Sequence, residues 1–165
     1  MSAHILGRGA FLSGFKIQDF AVYGAERRGA PLSSFCRISK EDIGTRGYIF
    51  NPDNVVSLDR SIGMDTILSG AKKGAIVLVN SDKKIPKIKE FKIHHIDATS
   101  IALEIIGKPI PNVAILGAFL RLTKMFPLKN LEAAIGSELE EAGHGGMADS
   151  NIRACRVCYR KIGEK

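Results

Sequence analysis

The chain has no tryptophan, and aromatic side chains make up only 7% of its 165 residues. A core built with so few rings must be aliphatic, packed from Ile, Leu, Val and Ala, as is usual for an α/β domain. Cysteine is scarce too: Cys36, Cys155 and Cys158 are all there are. An odd count, with two of them three positions apart, argues against a secreted disulfide framework. No apolar run approaches the roughly 18 residues of a membrane span. The opening stretch, Met1 to Ala10, lacks the continuous apolar segment of a signal peptide. Internal repeats, low-complexity tracts and linkers are missing as well. These absences lead us to expect one cytoplasmic domain, residues 1–165, with no membrane partner. The sequence contains no glycine-flanked serine elbow, no H-E-x-x-H helix and no phosphate-binding P-loop.

What is present is globular: 45% hydrophobic and 25% charged residues, with a formal net charge of +7. Such an excess of cations suits an anionic ligand or an acidic partner surface. Its densest groups are Lys83 to Lys89 and Arg153 to Lys161. Neither is interleaved with aromatic residues as a single-strand nucleic-acid surface would be. A solvated face or a subunit contact is the better reading, and no nucleic acid is expected.

Periodicity and punctuation predict an alternation of strand and helix followed by a helical tail. A helix is expected over 2–12, ending at Gly14, then strands over 15–22 and 32–38. The short connection between those strands favours antiparallel pairing. A strand over 54–58 follows the turn residues Asn51-Pro52-Asp53. A helix is expected over 61–69, closed by Lys72-Lys73-Gly74. Residues 75–79, five apolar positions in a row, suit a central parallel strand covered on both faces. A strand over 91–96 comes next. Asp97 is placed to cap a helix over 100–106 that closes on Gly107, and Asn112 to cap a long apolar helix over 113–126. Pro127 opens a helix over 128–139, Gly143-His144-Gly145-Gly146 forms a loop, and a basic helix covers 150–162. The pattern implies an α/β fold: a mostly parallel sheet with helices on both faces and a helical C-terminal part.

Three groups of residues are candidates for chemistry. Cys155 and Cys158 share a helix face but fall short of the four ligands a metal or cluster site needs, so an ordinary packed face is favoured over a redox pair. His94 and His95 are neighbours on a strand and point to opposite faces, which spoils joint ligation. No metal site is expected. The third group is Gly24-Ala25-Glu26-Arg27-Arg28-Gly29-Ala30-Pro31, followed by Phe35-Cys36-Arg37-Ile38. It sets a carboxylate and two guanidiniums between glycines, on a segment linking two strands. Arginine grips phosphate or carboxylate in a bidentate manner. A salt-bridged, solvent-exposed turn fits the same residues.

That segment resembles the hallmark of the gamma subunit, or gamma domain, of pyruvate (2-oxoacid):ferredoxin oxidoreductases. The likeness continues in order through Asn51-Pro52-Asp53, Gly74 to Asn80, Asp97-Ala98-Thr99, Pro111-Asn112 with Leu116 to Phe119, and Pro127-Leu128 with Leu131 to Ile135. The strand and glycine-rich turn with which members of the family usually begin have no counterpart here, so a phosphate cradle at that turn is not carried over. The resemblance implies a three-layer, Rossmann-like swivelling domain. It implies a subunit of a complex that oxidatively decarboxylates pyruvate or a related 2-oxoacid to an acyl-coenzyme A and CO2, with ferredoxin as electron acceptor. The chain itself is expected to bind no cofactor alone. Thiamine diphosphate and iron–sulfur clusters would sit in partner subunits of alpha, beta and delta type. On this reading Glu26, Arg27 and Arg28, shaped by Gly24 and Gly29, serve coenzyme A or assembly, and Asn112 faces the ligand cleft. A stand-alone anion- or nucleotide-binding module and a purely structural assembly subunit are the alternatives.

Overall fold

A computed structural model describes residues 1–22 and 32–162. Helix α1 (Ser2–Phe11) leads into an antiparallel pair, β1 (Lys16–Val22) and β2 (Ser33–Ser39). The second sheet holds β3 (Asn54–Ser57), β4 (Ile76–Asn80) and β5 (Lys92–Ile96), parallel and in that order. A short helix α2 (Met64–Leu68) lies between β3 and β4 in the chain. Four more helices follow among the described residues: α3 (Ala98–Ile106), α4 (Ala114–Thr123), α5 (Leu128–Glu141) and α6 (Ala148–Lys161).

The central strand is the one the apolar run marks. Val77, Leu78 and Val79 of β4 are fully buried. Side chains alternate along a strand, so Leu78 enters the main core while Val77 and Val79 face the other way. There they meet Ile67 of α2, with Val55, Ile93 and Phe91 packed around them. Helices therefore lie on both faces of the parallel sheet, a small one on one side and the bulk on the other.

The main core centres on α4, whose residues Ala114 through Leu120 are all buried. Its tightest contact is with α6. A Cβ built at Gly117 would lie 2.0 Å from the carbonyl oxygen of Cys155, so only glycine lets the two backbones approach this closely. Cys155 is buried in that contact, and Cys158, on the same helix face, is buried too. Burial pushes the Cys158 thiol up to about 12 and the Cys155 thiol higher than its ordinary range. They are neutral packing groups, as their spacing on one helix face suggested. Outside the core, Glu132 of α5 takes a bidentate grip from Arg156 of α6 at 2.6 and 2.7 Å. Arg8 of α1 holds Glu141 of α5 at 2.8 and 2.6 Å.

Several local expectations need correction. The helix expected over 61–69 is broken: a 3-10 turn over Arg60–Ile62 is separated from α2 by Gly63 at φ 82°. Lys72, Lys73 and Gly74 do not close it, because α2 has already ended at Leu68. The lysines pair instead with Asp53 and Glu90. Helix α4 stops at Thr123 rather than 126, because Lys124 takes a left-handed conformation (φ 51°). That turn brings Phe126 back into the core. Pro127 stands just outside α5, with extended backbone, rather than in its first turn. Residues 145–147 form a 3-10 turn in what the sequence marks as a plain loop.

Two glycines in this architecture should respond oppositely to alanine. Gly117→Ala overpacks the α4–α6 contact and should cost about 1–3 kcal/mol or more. Gly136, in α5, has nothing within 4 Å of an added Cβ. Gly136→Ala should therefore gain up to about 1 kcal/mol of helix propensity. Thermal denaturation of the two variants checks both signs.

Candidate functional site

In open parallel sheets, ligands bind outside the carboxyl ends of the strands. Here those ends are tied together by one side chain. Asn80, the last residue of β4, donates from Nδ2 to the Leu58 carbonyl at 3.0 Å and to Thr99 Oγ1 at 2.8 Å. Its Oδ1 accepts from the Ala98 N–H at 3.0 Å. A single amide thus fastens the exit of β3, the end of β4 and the first turn of α3. Asp97 completes that turn by accepting from the Ser100 N–H at 2.9 Å, the cap the sequence announced. Gly107 closes α3 in the left-handed conformation.

Beside Asn80, Ser81 is buried. Its hydroxyl accepts from the Lys83 N–H at 3.0 Å, donates to the Lys83 carbonyl at 2.8 Å, and lies 3.3 Å from Arg60 Nη1. His95 Nδ1 lies 3.4 Å from the Ser81 carbonyl. Ser57 donates to the Asp59 carbonyl at 2.7 Å, and the Asp59 carboxylate accepts from the Ser61 N–H and hydroxyl at 2.7 and 2.8 Å. Those bonds hold the Asp59 carboxyl below its usual range, and the bonds from Ser100 do the same for Asp97. The rim therefore offers a guanidinium beside a buried hydroxyl, framed by ionised carboxylates that are already engaged.

Gly24, Glu26, Arg27, Arg28 and Gly29 lie outside the described residues. The strands on either side of them are described, and Val22 and Ser33 are the last paired residues. Asn112 is described and does not cap α4. Val113 stands at the helix start with helical backbone and no side-chain bond. Two first-turn amides are met by backbone: Ile115 N–H donates to the Pro111 carbonyl at 3.0 Å and Leu116 N–H to the Val113 carbonyl at 3.1 Å. Asn112 serves instead as a contact between α1 and α4. Its carbonyl accepts from Ser2 Oγ at 3.0 Å, and its Nδ2 approaches Met1 Sδ at 3.4 Å.

Sequence reasoning missed Arg60 and Ser81, and saw Asn80 only as the end of a strand. The available signal was the polar pair Asn80-Ser81 directly after the apolar run, since a polar residue at the carboxyl end of a central parallel strand is placed to tie loops or meet ligand. The basic loop has a cleft of its own: a cavity of about 480 Å³ is lined by Lys87, Ile88, Lys89, Phe91, Lys92, Ile93 and His94. Burial lowers the His94 pKa, favouring the neutral ring. His94 and His95 share no ligand position. Among the described residues no group of three or more His, Cys, Asp or Glu side chains is placed to hold a metal ion.

The described residues form an α/β module with a short parallel sheet, a helical half and a separate antiparallel pair. Comparison with known proteins gives it a family. The family model described as "Pyruvate ferredoxin/flavodoxin oxidoreductase" matches residues 1–161. The "Pyruvate/ketoisovalerate oxidoreductases common subunit gamma" of Pyrococcus furiosus is 39% identical, covering 97% of this chain and 88% of its own length. The "Pyruvate synthase subunit PorC" of Methanothermobacter marburgensis is 40% identical, covering 98% and 89%. The crystal structure of the pyruvate oxidoreductase subunit PORC of Thermotoga maritima superimposes with a TM-score of 0.77 at 34% identity, covering 96% of this chain and 86% of that one. The chain belongs to the pyruvate ferredoxin/flavodoxin oxidoreductase family, as a gamma-type subunit of a multisubunit oxidoreductase.

Two tests follow from the strand ends. Asn80→Ala deletes three hydrogen bonds and strands the Ala98 amide, so it should cost about 1–3 kcal/mol in chemical denaturation. The lowered carboxyls of Asp59 and Asp97 mean the folded state binds fewer protons than the unfolded chain. Their contribution is present above the usual carboxylate range and is lost progressively as pH falls from that range through the lowered folded values. The melting temperature should therefore drop between about pH 5 and about pH 3. Asp97→Asn, which can still cap, should make that drop shallower.

Proposed function

We propose that this chain serves a complex that oxidatively decarboxylates pyruvate, or a closely related 2-oxoacid. The products are acyl-coenzyme A and CO2, and the electron pair released passes to ferredoxin. Thiamine diphosphate and iron–sulfur clusters belong, on this reading, to cytoplasmic partner subunits of alpha, beta and delta type. The observation that carries the proposal is the identity of 39–40% along nearly the whole chain with relatives named for pyruvate. The described thiols support the division of labour. Cys155 and Cys158 are buried among packed helix side chains, and two thiols fall short of the four ligands a cluster takes.

The chain's own part is to shape the coenzyme A side of the active site. Arg27 and Arg28 would meet phosphate oxygens, with Glu26 orienting one guanidinium and Gly24 and Gly29 shaping the segment. Its formal net charge of +7 favours approach of such a polyanion. Asn112, which joins the starts of α1 and α4, would hold the neighbouring helix ends in place.

Kinetics of the assembled complex test this. Arg27→Ala and Arg28→Ala should each raise KM for coenzyme A at least about tenfold, the size expected on losing a charge-assisted hydrogen bond. Subunit composition and KM for the 2-oxoacid should stay unchanged. A complex that falls apart would assign the segment to assembly. Wild-type values for both variants would remove it from coenzyme A binding.

A further inference from the structure

The β1–β2 pair has two faces of opposite character. The inner face packs on α1: a Cβ at Gly7 would lie 3.4 Å from Cys36 Sγ and 3.6 Å from Ile17 Cδ1. The outer face carries Phe20 and Phe35, directly opposite in the register and stacked at 5.3 Å. Tyr48 meets Phe35 edge-on at 6.1 Å, and Phe50 continues the row at 6.1 Å from Tyr48. Three of the chain's eight phenylalanines and one of its three tyrosines are thus spent on one surface. Yet Tyr48 is 55% and Phe50 78% exposed. Arg37 organises the row. Its guanidinium lies 5.8 Å from the Phe20 centroid and donates to Gln18 Oε1 at 2.7 Å and to the Tyr48 carbonyl at 3.1 Å.

An aromatic row with a fixed arginine in its midst has the composition of an interface centre, where Tyr, Phe and Arg are enriched. We propose that this outer face, formed by Phe20, Phe35, Arg37, Tyr48 and Phe50, is the docking surface for a partner subunit of the same oxidoreductase complex, one presenting an apolar patch rimmed by carboxylates. Charge decides between occupants. A second copy of a chain carrying +7 would set one Arg37-bearing cationic face against another, whereas an acidic rim complements it. The inference rests on the chain's place as a subunit, and it locates where that subunit is held.

The test is anaerobic affinity purification of the tagged chain from its host, with native mass spectrometry of the subunits retained. Tyr48→Ser/Phe50→Ser should retain at least about tenfold less partner than wild type, while the melting temperature of the isolated chain stays the same. Phe50→Lys, a single change at the most exposed ring, gives the same reading if the double variant melts early. Variants that assemble like wild type would overturn the docking surface. So would variants that keep the complex and turn a self-associating isolated chain into a monomer, since the face would then belong to a second copy. A wild-type chain that retains no partner would overturn the subunit reading itself.

Discussion

The contact between Gly117 and the Cys155 carbonyl is the constraint on which the domain rests. It sets the distance between α4 and α6, and α4 is the element that everything else surrounds. Leu78 of the central strand, Ile5 of α1, and Leu131 and Ile135 of α5 belong to the same continuous core. Close-packed interiors transmit strain because they have little room to relax. A wider α4–α6 spacing would therefore displace the sheet on one side and α5 on the other. Cys155 is best understood here: small, apolar when neutral, and able to fit beside a helix approached at backbone distance.

Two candidate sites lie away from that core. The carboxyl ends of the parallel strands are gathered by Asn80, which leaves Arg60 and the Ser81 hydroxyl at the rim. The antiparallel pair packs on α1 through Ile17 and Cys36, and in the chain its strands flank the segment with Glu26, Arg27 and Arg28. Ion pairs between elements, Arg8 with Glu141 and Arg156 with Glu132, fasten helix to helix without entering the core. Such exposed pairs contribute little individually. Their value here is positional, because each is bidentate and fixes one helix against the next.

The sequence was most readable where one local signal acted without a tertiary competitor. The apolar run Ala75 to Val79 marked the covered central strand, and Asp97 with Gly107 marked both ends of α3. The short connection after Val22 marked an antiparallel pair. It was least readable where distant chain intervenes. Asn112 looks like a cap, but the backbone of Pro111 and Val113 supplies the acceptors first. Lys72 and Lys73 look like a helix terminus, but they answer carboxylates at Asp53 and Glu90. Lys124 bears no mark of the left-handed turn that ends α4 early and returns Phe126 to the core. Arg60 and Ser81 are far apart in the chain, so no spacing rule could pair them. The family likeness of Gly24 to Pro31 was legible from residue types alone, whereas the aromatic row on the outer face needed the register of β1 and β2.

Among the described residues, no backbone hydrogen bond joins the antiparallel pair to the parallel sheet. Helix α1 stands between the hairpin and the helical half. It touches Cys36 and Ile17 through Gly7, and Phe126 and Leu131 through Gly9. The hairpin's inner face thus shares in the core's stability, while its outer face lies away from the core. The outer face of the hairpin can be recut, residue by residue, without consulting the core. A subunit built this way can follow a changing neighbour through evolution while keeping its own fold.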